Sequence, residues 1–451
     1  MKKGLTLLFI LALSFSAVLT ACGTISAPSN QANSGEAGSN ETADKSAKDN
    51  GTSGDETITL SMWDPFTEPE TAIILDTIIE NFQKENPHIK IKRTVMKNDS
   101  LRDTIKPALT SGQGPDLFMY DAGPGYLGVL AKAGLALDLT SYASKYGWNE
   151  RFPEWINERV TFDGKMYGIG NEIELIGVYY NKKIFEQLGV EVPKTYEEFL
   201  AICEKAKANN IIPIAFEDKD QWPAFHLESV FYTAVAGKEK LEAVLAKKEG
   251  FDQPIFAEAL DTFASLIKNG YTTPNPLSIS YDDGNKDFFS GKAAMRITGT
   301  WMVAEMVANL QEDVGFFLLP PVKPELPIMA PGGIGSAVVI SAKTKYPEET
   351  VQFLDYMFSE ESAKIWYENS KIPPVPIDVG GLNINTLAKE VVAMANTPAG
   401  LSYNLDVIMP QKVNDVTKNV LQELIAGKKT GAEVVKAKQQ ALEEEIAKGN
   451  F

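Results

Sequence analysis

From residue 57 onward the chain alternates short strand patterns with amphipathic helix patterns, and that alternation narrows its fold more than any other feature. Residues 57–63 alternate polar and apolar side chains, as a half-buried strand does. Residues 70–85 put Ile74, Ile78, Ile79 and Phe82 on one side of a helix, and Asn86-Pro87 ends it. A second alternating strand spans 89–95, a short helix spans 101–109, and Gly112-Gln113-Gly114-Pro115 breaks the chain. Residues 116–120 then form a buried strand that closes on Asp121. This β-α-β-α-β order predicts an α/β lobe with a mostly parallel sheet. A second lobe is expected from about Ile176, with strands at 177–181, 211–216, 293–297 and 314–319 and helices at 182–188, 222–236 and 255–269. Thr195 and Glu198 form a capping box that opens another helix. The prolines between 320 and 331 read as a crossing between lobes, and the tail from Pro347 is mainly helical.

Ahead of this body lies a different kind of sequence. Lys2 and Lys3 precede an apolar run over 5–19 that is short for a membrane span and laid out like a secretory signal. Leu19-Thr20-Ala21-Cys22 resembles a bacterial lipobox, in which cleavage before the cysteine leaves a thiol that carries lipid. Residues 1–21 are thus expected to be a signal, and 22–56 a lipidated Cys22 with a Ser/Gly/Asn-rich tether too polar to form a core. Cys203, the other cysteine, reads as a small core residue on a helix. The formal charge of −17 argues against nucleic acid or an anionic membrane surface as partner. With two histidines, His88 and His226, the chain is poor in the ligands that zinc sites need and in bases for Ser/His or Cys/His catalysis.

Gly123-Pro124-Gly125-Tyr126-Leu127-Gly128 spells the glycine spacing of a dinucleotide loop. It follows the third strand rather than the first, and Pro124 removes a backbone donor, so a loop turning into a helix at a cleft edge is the reading preferred. Four other stretches carry more: Gly114-Pro115-Asp116-Leu117; Val178 to Phe185 with Gly189; Phe289 to Met295 with Gly299-Thr300-Trp301; and Gly332-Gly333-Ile334-Gly335 leading into Val338-Val339-Ile340-Ser341. In order and spacing they resemble the extracellular solute-binding proteins of ATP-driven sugar importers, over residues 57–451. The resemblance implies a two-lobed α/β fold of the periplasmic-binding-protein type, hinged at crossings, with the ligand held between the lobes. It implies no enzymatic activity, no cofactor and no metal. The expected partners are a carbohydrate, most simply an oligosaccharide, and the membrane permease of an ABC importer. The protein is expected to act as a monomer on the extracellular face, touching the membrane only through its lipid. Lobe 1 is placed at 57–175 plus 318–358, and lobe 2 at 176–317 plus 359–451.

A sugar offers hydroxyls in fixed directions and apolar C–H faces, so its binder needs planar polar groups and aromatic rings. By resemblance, Asp121 and the Trp63-Asp64 pair occupy strand ends that contact ligand; a helix-capping Asp121 and a turn acid at Asp64 are the plainer alternatives. Glu172 and Glu174 stand at the first crossing, and at least one is expected to face the cleft. Trp222 and Trp301 are the candidate stacking rings, against the alternative of core packing. Gly332 and Gly333 would let backbone approach the ligand, and Tyr403 and Asp406 sit in a tail loop that reaches the cleft in relatives. Where maltose binders carry an aromatic pair, this chain reads Val413-Asn414-Asp415-Val416-Thr417, so maltodextrin does not follow. Trp366 reads as core. Of the five arginines only Arg296 stands inside a candidate stretch, and it alternates away on a strand, which favours a neutral ligand over an anionic one. The other classes weighed are a binder of peptide, polyol or phosphorylated solute, and a glycoside hydrolase using Asp121 and Glu174.

Overall fold

The computed structural model describes residues 57–152, 154–395 and 400–451. The expectations for residues 1–56, including the signal, Cys22 and the tether, lie outside the described residues. Strands follow in chain order as β1 (Ile58–Asp64), β2 (Ile89–Val95), β3 (Leu117–Asp121), β4 (Thr161–Phe162), β5 (Lys165–Met166), β6 (Ile169–Gly170), β7 (Ile173–Asn181), β8 (Ile212–Ala215), β9 (Ala293–Gly299), β10 (Val314–Phe317), β11 (Pro331–Ile334), β12 (Ser336–Ile340) and β13 (Ser402–Tyr403). The first sheet has the order β2-β1-β3-β12-β6. Its β1 pairs in parallel with β2 and β3, as the β-α-β-α-β order requires, and β12 returns antiparallel to β3. The second sheet runs β13-β11-β7-β9-β8, with β10 also on β7. β4 and β5 form a separate hairpin.

The patterned positions form the cores. Ile74, Ile78, Ile79 and Phe82 of the helix Pro69–Glu85 pack with Leu60, Met62, Phe118 and Val338 under the first sheet. Each such side chain contributes ~1.5–3 kcal/mol by leaving water. Val178, Phe199, Cys203, Phe225, Phe263 and Met295 share the core of the second lobe. Cys203 and Trp366 are both fully buried. At Thr195 the side chain accepts from the Glu198 amide at 3.2 Å, while the Glu198 carboxylate takes its amide from Lys194 rather than from Thr195.

Three segments cross between the sheets, and they differ from the boundaries expected from sequence. The first is Asn171-Glu172, between β6 and β7. The second is the single residue Gly335, between β11 of the second sheet and β12 of the first. Residues 331–334, assigned from sequence to lobe 1, therefore belong to the second sheet. The prolines at 320–331 also lie on the second lobe, where Leu319 joins the core and the Val322 amide donates to Ala234 at 2.8 Å. A Cβ at Gly335 would stand 1.8 Å from Glu174 Oε2, so glycine lets the chain pass beside that carboxylate without displacing it. The third crossing follows the helix Glu360–Glu368. That helix, assigned from sequence to lobe 2, buries Ala363 and Trp366 in the first core.

Candidate functional site

A partly open cavity of about 500 Å³ lies between the two lobes. From the first lobe it is lined by Phe66 and Glu68 after β1, by Arg102 and by Asp121. The crossings and the strand ends beside them supply Asn171, Glu172, Glu174, Gly335, Ser336 and Lys371. The second lobe supplies Trp222, His226, Tyr281, Asn285, Trp301, Glu305, Asn404 and Asp406.

Asp121 ends β3 and meets the cavity there. Arg102, on the helix Asn98–Ser111, grips both of its oxygens, with Nε at 2.6 Å from Oδ2 and a terminal nitrogen at 2.8 Å from Oδ1. The same guanidinium stands 5.3 Å from the centre of the Tyr126 ring. Burial works against its charge, but Asp121 and the Tyr126 hydroxyl outweigh that and hold Arg102 firmly protonated. Sequence reasoning missed Arg102 because its helix announces only the apolar stripe of Leu101, Ile105 and Leu109, and a charged residue flanking that stripe reads as solvated.

The acids of the first crossing are treated differently. Burial pushes the Glu172 carboxyl up, and Lys371 at 3.1 Å opposes the shift. Glu174 has no hydrogen-bonded partner among the described residues; burial first, then the charge of Glu172, push its carboxyl well above the usual range. Asp406 is held below the usual range. Burial acts to raise it, but the imidazole of His226, whose Nε2 is 3.0 Å from Oδ2, more than offsets this.

The second-lobe wall is aromatic. Trp222 opens the helix Trp222–Val235, and Trp301 follows β9 in a short 3₁₀ turn. Their ring centres lie 6.2 Å apart, edge to face. Tyr281 packs 4.4 Å from Trp222, and His226 5.2 Å from Trp301. The Trp301 indole donates to the Tyr281 hydroxyl at 2.9 Å, and that hydroxyl meets Thr298 at 2.8 Å. Beneath Tyr281, at 4.7 Å, lies the Arg296 guanidinium, bonded through two nitrogens to Glu217 at 2.7 Å each. Arg296 thus points away from the cavity and supports its wall.

The structure brings Asp121, Glu172, Glu174, Trp222, Trp301 and Asp406 together around the cavity. It places five other candidates elsewhere. Asp64 is fully buried, held by Arg93 at 2.7 and 2.9 Å and by the Phe66 amide at 3.1 Å. Trp63 packs on the first core. The wall after β1 is built by Phe66 instead. Gly332 and Gly333 approach protein rather than ligand: added Cβ atoms would meet the Glu174 carbonyl at 2.4 Å and the Arg159 guanidinium at 2.6 Å. The Tyr403 hydroxyl bonds Glu242 at 3.2 Å, and its neighbour Asn404 reaches the cavity in its place. Besides Arg102, the residues that sequence missed include Phe66, His226, Tyr281, Glu305 and Lys371. None sits in a local pattern that marks it.

Residues 66–364 match the family of bacterial extracellular solute-binding proteins. The multiple sugar-binding protein of Streptococcus mutans is 28% identical over 315 residues, covering 68% of this chain and 72% of its own length. A chitin oligosaccharide binding protein of known structure superposes with a TM-score of 0.77 at 26% identity, over 86% of this chain and 100% of that one. A structure from work on xylan utilisation by the thermophilic bacterium Caldanaerobius polysaccharolyticus gives a TM-score of 0.79 at 25% identity, over 85% and 99%. With two lobes, a cavity between them and a family match across most of the body, this chain belongs to the bacterial extracellular solute-binding proteins.

Proposed function

We propose that this protein captures a carbohydrate, most simply an oligosaccharide, between its lobes and delivers it to a membrane ABC importer. The observation that carries the reading is the pairing of an aromatic wall with a carboxylate-bearing wall across one cavity. Trp222 and Trp301 offer faces to sugar C–H groups, while Asp121, Asp406 and the crossing acids accept from hydroxyls. A hydroxyl left unpaired in such a site costs ~1–3 kcal/mol, which makes the recognition selective. The cavity volume of about 500 Å³ falls within the ~300–1,000 Å³ usual for small-molecule sites. Sugar-binding relatives and neighbours support the same class. In this reading Cys22 carries the lipid that holds the receptor at the outer face of the membrane, and the protein works as a monomer without cofactor or catalysis.

The test is thermal unfolding of the body against plant and storage oligosaccharides, peptides, polyols and sugar phosphates. A solute that binds only the native state, at a hundredfold excess over Kd, adds ~2.7 kcal/mol and raises the melting temperature by several degrees. Stabilisation by one group of oligosaccharides is expected. Stabilisation by peptides or phosphorylated solutes alone overturns the reading. Product formation from an oligosaccharide, abolished in Asp121→Asn, would make it a hydrolase.

A further inference from the structure

Lys371 lies on the third crossing, with only 3% of its side chain exposed. Its ammonium donates to Glu172 Oε2 at 3.1 Å and to the Trp301 carbonyl at 2.8 Å, and stands 5.6 Å from the centre of the Phe66 ring. These partners belong to the first crossing, the second lobe and the first lobe. Backbone bonds repeat the linkage on either side. The Ile173 amide donates to Ile372 at 2.7 Å, and the Leu175 amide donates to Thr300 Oγ1 at 3.0 Å. A buried ammonium persists only where its charge is paired and its donors are used. Here they are used to hold the turn that carries an indole of the cavity wall. The far end of that indole is fixed by Tyr281, so the ring is held from both ends.

We infer that Lys371 is a positioning residue that ties Trp301 to the hinge, and that ligand affinity depends on Lys371 through the placement of that indole. The inference rests on Trp301 being the ligand's stacking face. It also gives the third crossing a task beyond joining two lobes. A shift of the crossings relative to one another moves the carbonyl of Trp301, and with it the ring. Small misplacements of this kind are costly wherever geometry must be held closely.

Replacing Lys371 alone leaves Glu172 buried without its cation, which threatens folding. The test therefore uses Lys371→Met combined with Glu172→Gln, which removes both charges and keeps both stems. Fluorotryptophan-labelled protein without ligand is followed by fluorine NMR, with the Trp301 signal assigned from Trp301→Ala. Kd is measured for whichever oligosaccharide stabilises the wild type, in the wild-type and Trp301→Ala backgrounds. The expected result is a folded protein whose Trp301 signal shifts or broadens and whose affinity falls ~10-fold or more. In the Trp301→Ala background the pair should weaken binding by less than about twofold beyond what Glu172→Gln does alone in that background. An unaltered Trp301 signal in the folded double variant overturns the inference. A loss beyond that of Glu172→Gln alone that is equal in the two backgrounds overturns it too, since the effect of Lys371 would then not pass through the indole. If no sugar binds the wild type, the carbohydrate reading fails, and the unliganded fluorine signal still decides the role of Lys371.

Discussion

On the first-lobe wall of the cavity, the carboxylate is clamped by an arginine from a neighbouring element. On the second-lobe wall, aromatic rings are held by one another and by a buried arginine beneath them. Asp121 cannot turn without breaking two bonds to Arg102, and Asp64 behind it is fixed in the same way by Arg93. Trp222, Tyr281, His226 and Trp301 meet mostly edge to face or tilted, leaving ring surface toward the cavity. The difference separates stability from binding. A clamped ion pair loses folding energy when one partner goes, because the other remains buried and charged. A ring at a cavity edge loses contact with its ligand first.

The largest effect is expected where the clamp is broken. Arg102→Ala strands Asp121 and should cost ~3 kcal/mol of folding stability, read by urea denaturation. The paired change Arg102→Ala with Asp121→Asn should recover much of that loss. No recovery would mean that Arg102 stabilises by packing over Tyr126 rather than by charge. Trp301→Ala comes next and should act mainly on binding, weakening Kd by ~2 kcal/mol, roughly 30-fold, with a smaller change in melting temperature. A larger loss of stability than of affinity would place the ring functionally in the core and erase the contrast between the walls. The remaining effect emerges only as the pH changes and concerns Glu305, an acid on the aromatic side with no hydrogen-bonded cation among the described residues. Its carboxyl is pushed up to about 7 by burial, with Lys371 opposing and Glu68 adding. Because the folded pKa lies above the unfolded one, its contribution is complete below the unfolded value and is lost as pH rises through about 7. Glu305→Gln should therefore gain ~2 kcal/mol on the wild type between pH 4.5 and pH 8. A constant difference across that range would show that Glu305 is well solvated.

Much of the fold was legible because its signals are local. The helix with Ile74, Ile78 and Phe82, the strand ending at Asp121 and the capping residue Thr195 all announce themselves within one or two turns of chain. The lobe boundaries were less legible. Residues 331–334 and 360–368 fit either lobe by pattern, and only pairing with β7 and packing around Trp366 assign them.

By itself the sequence determined the alternating α/β order, the family motifs, and the aromatic and acidic residues at strand ends from which the cavity is drawn. Periodicity and turn chemistry act between near neighbours, so they can be read without a partner. Which acids line the cavity was settled by tertiary packing alone. Asp64 and Asp121 end neighbouring strands, are both buried and are each clamped by an arginine, yet Asp121 lines the cavity and Asp64 does not. Arg102, His226, Tyr281 and Lys371 join the site from separate elements and acquire their roles from contacts between residues as distant in the chain as Phe66 and Lys371. Whether a charged group is paired, stranded or open to a ligand depends on what the fold sets beside it, and chain spacing does not encode that.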